Sequence, residues 1–166
     1  MQQNFLSSLG FSFKLSRLPN TSFFIQSVNI PGVSIGIVDQ PTPFKTLHLA
    51  GDKIEYDTFD VTIKMDEKLE SFVEIYDWMK GLSHPEDFSQ FKQLKDSQYS
   101  LYSDGTLLIF NSNSQPILEF SFSDMFPVSM SSISMDVSSA EPIFVTSSIT
   151  FKHNGFKIKR LNGWFL

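Results

Sequence analysis

Gly32-Val33-Ser34-Ile35-Gly36 is the stretch whose residue types come nearest to catalytic chemistry. It matches G-x-S-x-G, the elbow on which hydrolases hold a nucleophilic serine at a sharp strand-to-helix turn. Here Pro31 precedes it and Ile37-Val38-Asp39-Gln40-Pro41-Thr42-Pro43 follows, a run in which no helix can start. An extended loop using glycine for flexibility accounts for the pattern, with a serine hydrolase built on Ser34 as the rival. The histidines, His48, His84 and His153, fall on a hairpin arm, a loop and a β-turn. None has a partner at ligand spacing, and a metal needs several converging donors. Glu86 and Asp87 beside His84 read as a polar loop. Neither a phosphate-binding loop nor a dinucleotide-binding glycine pattern occurs, so no cofactor is expected. Asn20-Thr21-Ser22 matches a glycosylation sequon, which has meaning only after secretion.

Composition narrows the class further. With 166 residues, 41% hydrophobic and 19% charged, the chain suits one globular domain over residues 1–166. Eighteen phenylalanines favour strands and a sandwich-like core. The absence of cysteine removes disulfides and thiolate chemistry, and a net charge of −5 argues against a dedicated nucleic-acid binder. No apolar run reaches transmembrane length, so no membrane is expected. The start, MQQNFLSSLGFSF, lacks the basic region of a signal peptide, which points to the cytoplasm or an assembly built there.

The expected fold is mainly β, an antiparallel sandwich or barrel with one flanking helix and a long protruding hairpin. Asn4 to Leu9 suits one helical turn. Phe11, Phe13 and Leu15 alternate with polar residues as a first strand, and Phe23 to Ile30 forms a second. Gly32 to Gln40 reads as an extended connection. After Asp66, a good N-cap, the apolar residues Leu69, Phe72, Val73, Tyr76 and Met79 recur at helical spacing, giving a helix over about 67–80 that Gly81 stops. Residues 83 to 100 are irregular and polar. Asp104-Gly105 reads as a turn, and Thr106 to Phe110 pairs with Pro116 to Phe122. Ile133 to Val137 suits a short strand and Pro142 to Phe151 a longer one. Asn154-Gly155 then signals a tight hairpin returning through Phe156 to Ile158.

The hairpin is expected over about 44–65, turning at Gly51-Asp52-Lys53. In its second arm Phe59, Val61, Ile63 and Met65 share one face and Thr58, Asp60, Thr62 and Lys64 the other. Upstream of Asp57 the apolar residues are Ile54 and Tyr56, so the apolar face flips. One sheet packed on one core should not flip. A bulge would cause this, and so would an arm that packs on something other than its own domain. Near the C-terminus Lys152, His153, Lys157, Lys159 and Arg160 concentrate positive charge, as a solvated hairpin or a docking surface for an acidic partner. Trp164, Phe165 and Leu166 should tuck under the domain or into a neighbour.

An ordered series of segments resembles the tail tube proteins of contractile-tailed bacteriophages. Val28-Asn29-Ile30-Pro31-Gly32-Val33 is similar to the segment leading to that family's long hairpin. Pro41 to Lys53, with Leu49-Ala50-Gly51-Asp52, resembles the hairpin itself. Phe59-Asp60-Val61-Thr62-Ile63, Asp66-Glu67 and Tyr76-Asp77-Trp78 follow the family's succession of strand, acid and helix, and Phe126-Pro127-Val128-Ser129 and Ile149-Thr150-Phe151 resemble its C-terminal half. The resemblance covers most of residues 11 to 151.

It implies a structural protein of a phage tail, assembled in the host cytoplasm, and no enzyme. Six subunits would close a ring, rings would stack, and DNA would pass through without specific binding. The formal charge of six chains sums to about −30 (six times −5), which repels DNA from the lumen wall. Under that resemblance Phe44, Leu47, Leu49, Gly51, Asp52, Ile54 and Tyr56 are expected between subunits, and Thr58, Asp60 and Thr62 toward the lumen. Lys157, Lys159, Arg160, Trp164 and Phe165 are expected to dock a partner. Expected partners are copies of the chain, the sheath, baseplate or neck proteins, and a tape measure protein in the lumen. Residues 83 to 100 and the extension beyond His153 depart from a repeating tube subunit. They suit the alternative of a baseplate initiator or neck adaptor ring. A small carbohydrate-binding sandwich is a third class of reading.

Overall fold

Alternation of apolar and polar residues sets most of the architecture. The computed structural model describes residue 6 and residues 10–18, 25–83, 101–135 and 144–161. These form strands β1 (Phe11–Leu15), β2 (Ile25–Asn29), β3 (Val33–Pro41), β4 (Thr46–Tyr56) and β5 (Phe59–Lys64), helix α1 (Glu70–Ser83), and strands β6 (Ser103–Phe110), β7 (Pro116–Met130), β8 (Thr146–Lys152) and β9 (Gly155–Arg160). All pairings are antiparallel.

Two four-stranded layers share one long strand. β1, β6, the first half of β7 and β9 make one layer; the second half of β7, β8, β5 and β2 make the other. β7 changes layers near Asp124, whose φ of 53° and the adjoining bulge bend the strand. The inner faces meet through aromatic rings: Phe59 lies 4.9 Å from Phe13 and 4.7 Å from Phe122 between ring centres. Phe59, Val61 and Ile63 are buried and Met65 packs beside them, as their alternation predicts.

α1 packs on the core through Ile75 and Trp78. Trp78 is its main anchor; the ring is buried, its Nε1 donates to the Leu101 carbonyl at 3.0 Å, and Arg17 lies over it at 5.1 Å. Burying one such side chain contributes about 2–3 kcal/mol. The helix begins later than expected. Asp66 to Leu69 form a turn, with Leu69 at a φ of 54°, and the Asp66 side chain accepts from the Glu70 amide at 3.4 Å. Gly81 does not stop the helix; it is buried within it. The core face is Ser71, Ile75 and Trp78, while Val73 and Tyr76 of the expected stripe are exposed.

Two turn assignments and one strand change. Asp104 and Gly105 lie inside β6, where Gly105 faces Met125 and Phe13. Residues 131–135 are not a strand, and the rest of that expected strand, like residues 4, 5, 7–9, 84–100, 142 and 143, lies outside the described residues. Asn154-Gly155 does not fold β9 back onto β8. It forms a corner that lays β9 on β7, tied by Asn154 Nδ2 to Asp124 at 3.0 Å and by the Asn154 amide to the Ser123 carbonyl at 3.1 Å.

Candidate assembly surface

The protruding hairpin is β3–β4, residues 33–56, rather than 44–65. Gly32 to Gln40 is mostly strand, not connection, and pairs with β4 as a ribbon separate from both layers. At roughly 3.3 Å per residue its nine-residue β3 spans about 30 Å. The tip lies at Thr42 to Lys45. It needs no glycine because Thr42 supplies the closure: its amide donates to the Lys45 carbonyl at 3.0 Å, its hydroxyl donates to the same carbonyl, and the Lys45 amide donates back to the hydroxyl at 3.2 Å. Phe44 stands on this tip 98% exposed.

Gly51-Asp52-Lys53, expected as the turn, is a bulge inside β4. Ile35 faces Ile54 and Ile37 faces Ala50, so three residues of β4 oppose Gly36 alone. Gly51 is required there because a Cβ would stand 2.7 Å from the Gly36 carbonyl oxygen. The flip in apolar parity also has its cause. β4 and β5 belong to different sheets, with Asp57 and Thr58 between them.

No residue of the ribbon is buried. Its exposed apolar side chains include Val33, Ile35, Ile37, Val38, Leu47, Leu49 and Ile54. Neighbours along a strand point to opposite faces, so the exposed pair Ile37 and Val38 puts apolar surface on both faces. Of the expected contact residues, Phe44, Leu47, Leu49, Asp52 and Ile54 are exposed and Gly51 is partly covered. Tyr56 is half-buried against the sandwich. Near the tip His48 Nδ1 and Asp39 Oδ1 lie 2.6 Å apart at hydrogen-bond distance, both exposed.

The ribbon's base rests on His153, expected on a β-turn and within the exposed positive cluster near the C-terminus; the structure takes it out of that cluster. His153 is buried, 5.8 Å from the Tyr56 ring, 5.2 Å from Phe122 and 5.9 Å from Phe156. Among the described residues neither ring nitrogen has a hydrogen-bond partner of good geometry. Burial pushes its pKa below the ordinary histidine value, outweighing the nearby backbone of Asp57 and Gly155, which favours the charged ring. Gly155, at a φ of 151°, backs directly onto the Tyr56 ring. The aromatic neighbours, not a ligand, explain this histidine, and nothing in its polar flanks Lys152 and Asn154 announces the burial.

Thr58, Asp60 and Thr62 lie on the outer face of the second layer. Asp60 accepts from the Thr150 hydroxyl at 2.7 Å, and the hydroxyls of Thr62 and Ser148 are 3.1 Å apart. Asn29 and Ser27 of β2 pair with Asp60 and Thr62, so the face is rich in hydroxyl and amide groups. Lys157, Lys159 and Arg160 are exposed on β9. Trp164 and Phe165 lie outside the described residues.

Ser34 is the second residue of β3, opposite Glu55 and exposed, with no strand-to-helix turn to present it as a nucleophile. Among the described residues no three His, Asp or Glu side chains converge as a metal site requires, and no helix is long and apolar enough to cross a membrane. His84 lies outside the described residues.

No protein family profile matches the chain. The tail tube terminator protein of Enterobacteria phage T4 is 25% identical over 139 residues, covering 81% of this chain and 76% of that protein. Among solved structures, the tube-terminating cap of the anti-feeding prophage superposes with a TM-score of 0.69 at 13% identity, over 96% of this chain and 94% of the cap chain. A chain of the extended sheath–tube complex of an extracellular contractile injection system, PVC, gives 0.66 at 15% identity, over 96% and 94%. The chain therefore has the fold of tail tube proteins and is a structural, tail tube/terminator-like protein rather than an enzyme.

Proposed function

We propose that this chain, as one domain over residues 1–166, is a ring-forming subunit of a contractile tail tube, six copies to a ring, through which DNA is ejected. The β3–β4 ribbon carries this reading. A two-stranded ribbon with apolar residues on both faces and none buried is marginal alone in water and is completed by a neighbour. Phe44, Leu47, Leu49, Ile54 and the bulge at Gly51 and Asp52 then lie between subunits, with Tyr56 anchoring the ribbon to its own sandwich. The hydroxyl-rich face bearing Thr58, Asp60 and Thr62 faces the lumen. The Asp60 carboxylate at its centre repels phosphates, while Lys64, the cation of the same β5 face, stands at the strand end over the Phe144 ring, which suits a conduit for DNA and, before ejection, a tape measure protein. Sheath and neck or baseplate proteins are the outer neighbours, in a tail assembled in the host cytoplasm.

The likeness to the phage T4 tail tube terminator favours a terminal ring over the repeating tube. Negative-stain microscopy of the purified chain tests both levels. Single six-fold rings are the expected outcome. Long tubes would make it a repeating subunit, and a monomer at high concentration would sink the ring. A chain with the tip residues 38–49 replaced by a short turn should fold and fail to assemble; assembly by that variant would remove the ribbon's role.

A further inference from the structure

Three cations stand without an ion-pair partner among the described residues, along one open strand edge. β9 pairs with β7 on one side only, so among the described residues its other side leaves alternate backbone N–H and C=O groups without a strand partner. Lys157, Lys159 and Arg160 are all exposed. The ion pairs among the described residues include none of them, although Glu119 is the cross-strand neighbour of Lys159. Ile158 between them is 58% exposed. In a chain with 18 acids against 13 bases, this strand carries three bases and no acid.

We propose that β9 takes up an extended acidic segment of a partner protein by strand addition. The side-chain alternation gives that segment a pattern. Lys157 and Lys159 point to one face and Ile158 to the other, so the partner places carboxylates at alternate positions and apolar residues between them. Lysines on an open edge discourage pairing with another basic strand, which makes the same residues selective for an acidic one. Arg160 at the strand end offers a planar fork for a carboxylate. The inference rests on the chain being an assembly protein with neighbours, and it names the chemistry of one of them.

The test uses the full chain and a blocked eight-residue peptide alternating Glu and Val, with the Lys-Val peptide as control. Fluorescence anisotropy should show binding of the acidic peptide alone, and hydrogen exchange should show β9 amides gaining protection. The triple reversal K157E/K159E/R160E should weaken binding about tenfold or more, since it turns three opposite-charge pairs into like-charge ones. Single reversals, which leave the fold least disturbed, should each weaken it severalfold. No binding, equal binding by the reversed variants, equal binding of the basic peptide, or binding without protection of β9 would each overturn the proposal. So would a DNA oligonucleotide that binds β9 more tightly than the peptide. Microscopy of the same preparation separates the two readings: rings without peptide binding remove this proposal alone, and absence of rings removes the assembly on which it rests.

Discussion

Ile54 and Ile63 are the same residue type in neighbouring strands, yet one is 52% exposed and the other fully buried. Ile63 lies between two layers that belong to one subunit. Ile54 lies on a ribbon whose both faces are open. The contrast extends to the whole of β5 and β4: three residues of β5 are buried and none of β4. Apolar residues in β5 stabilise the fold, whereas those in β4 stabilise whatever covers them. A hydrophobic side chain therefore reports on partners only where its own subunit leaves it bare.

Substitutions can break or sharpen that contrast. Trp78→Ala should have the largest effect, about 3–5 kcal/mol lost in urea unfolding, because it removes a buried ring and leaves the Leu101 carbonyl without its donor. Ile63→Ala should cost about 2–4 kcal/mol by the same measurement. Gly51→Val forces a side chain against the Gly36 carbonyl and should cost about 1–3 kcal/mol of local ribbon stability, read as faster hydrogen exchange in residues 33–56 while the sandwich amides stay protected. His153 gives a pH test. Its folded pKa is below the unfolded value, so above about pH 6.5 the ring is neutral in both states and contributes no slope. As pH falls below that, the unfolded chain takes up the proton first and stability declines. His153→Phe should flatten this part of the stability–pH curve by removing the ring's ionisation. Ile54→Ala should be smallest, within about 0.5 kcal/mol for the isolated subunit. A cost matching that of Ile63→Ala would end the comparison, since it would mean the ribbon is held by its own subunit.

The sandwich was largely legible in the sequence because alternation within β1, β5, β6 and β7 is enforced by one core. The ribbon's existence was legible in the parity change before Asp57, but its limits were not. Gly51-Asp52 carries the composition of a turn because a bulge at a close backbone approach also needs glycine. The true tip, Thr42-Pro43-Phe44-Lys45, has no glycine, since a threonine side chain closes it. Asn154-Gly155 was a sound local signal overridden from a distance: β9 finds its partner in β7, with pairs running from Ser123 and Gly155 to Leu118 and Arg160, far apart along the chain. In α1 the expected stripe included the exposed pair Val73 and Tyr76 while the core face runs through Ser71, Ile75 and Trp78, because apolar residues line more than one side of the helix and periodicity alone does not separate them.

The passage of β7 from one layer to the other has a mechanical side. A tug on the open edge at β9 enters β7 at residues 118–123 and reaches β8 through residues 126–130 of the same backbone. The load path between the layers is thus covalent, where an ordinary sandwich relies on side-chain friction across its middle. Whatever is moored to β9 is tied to the layer bearing Asp60 by one unbroken cable, bent at Asp124.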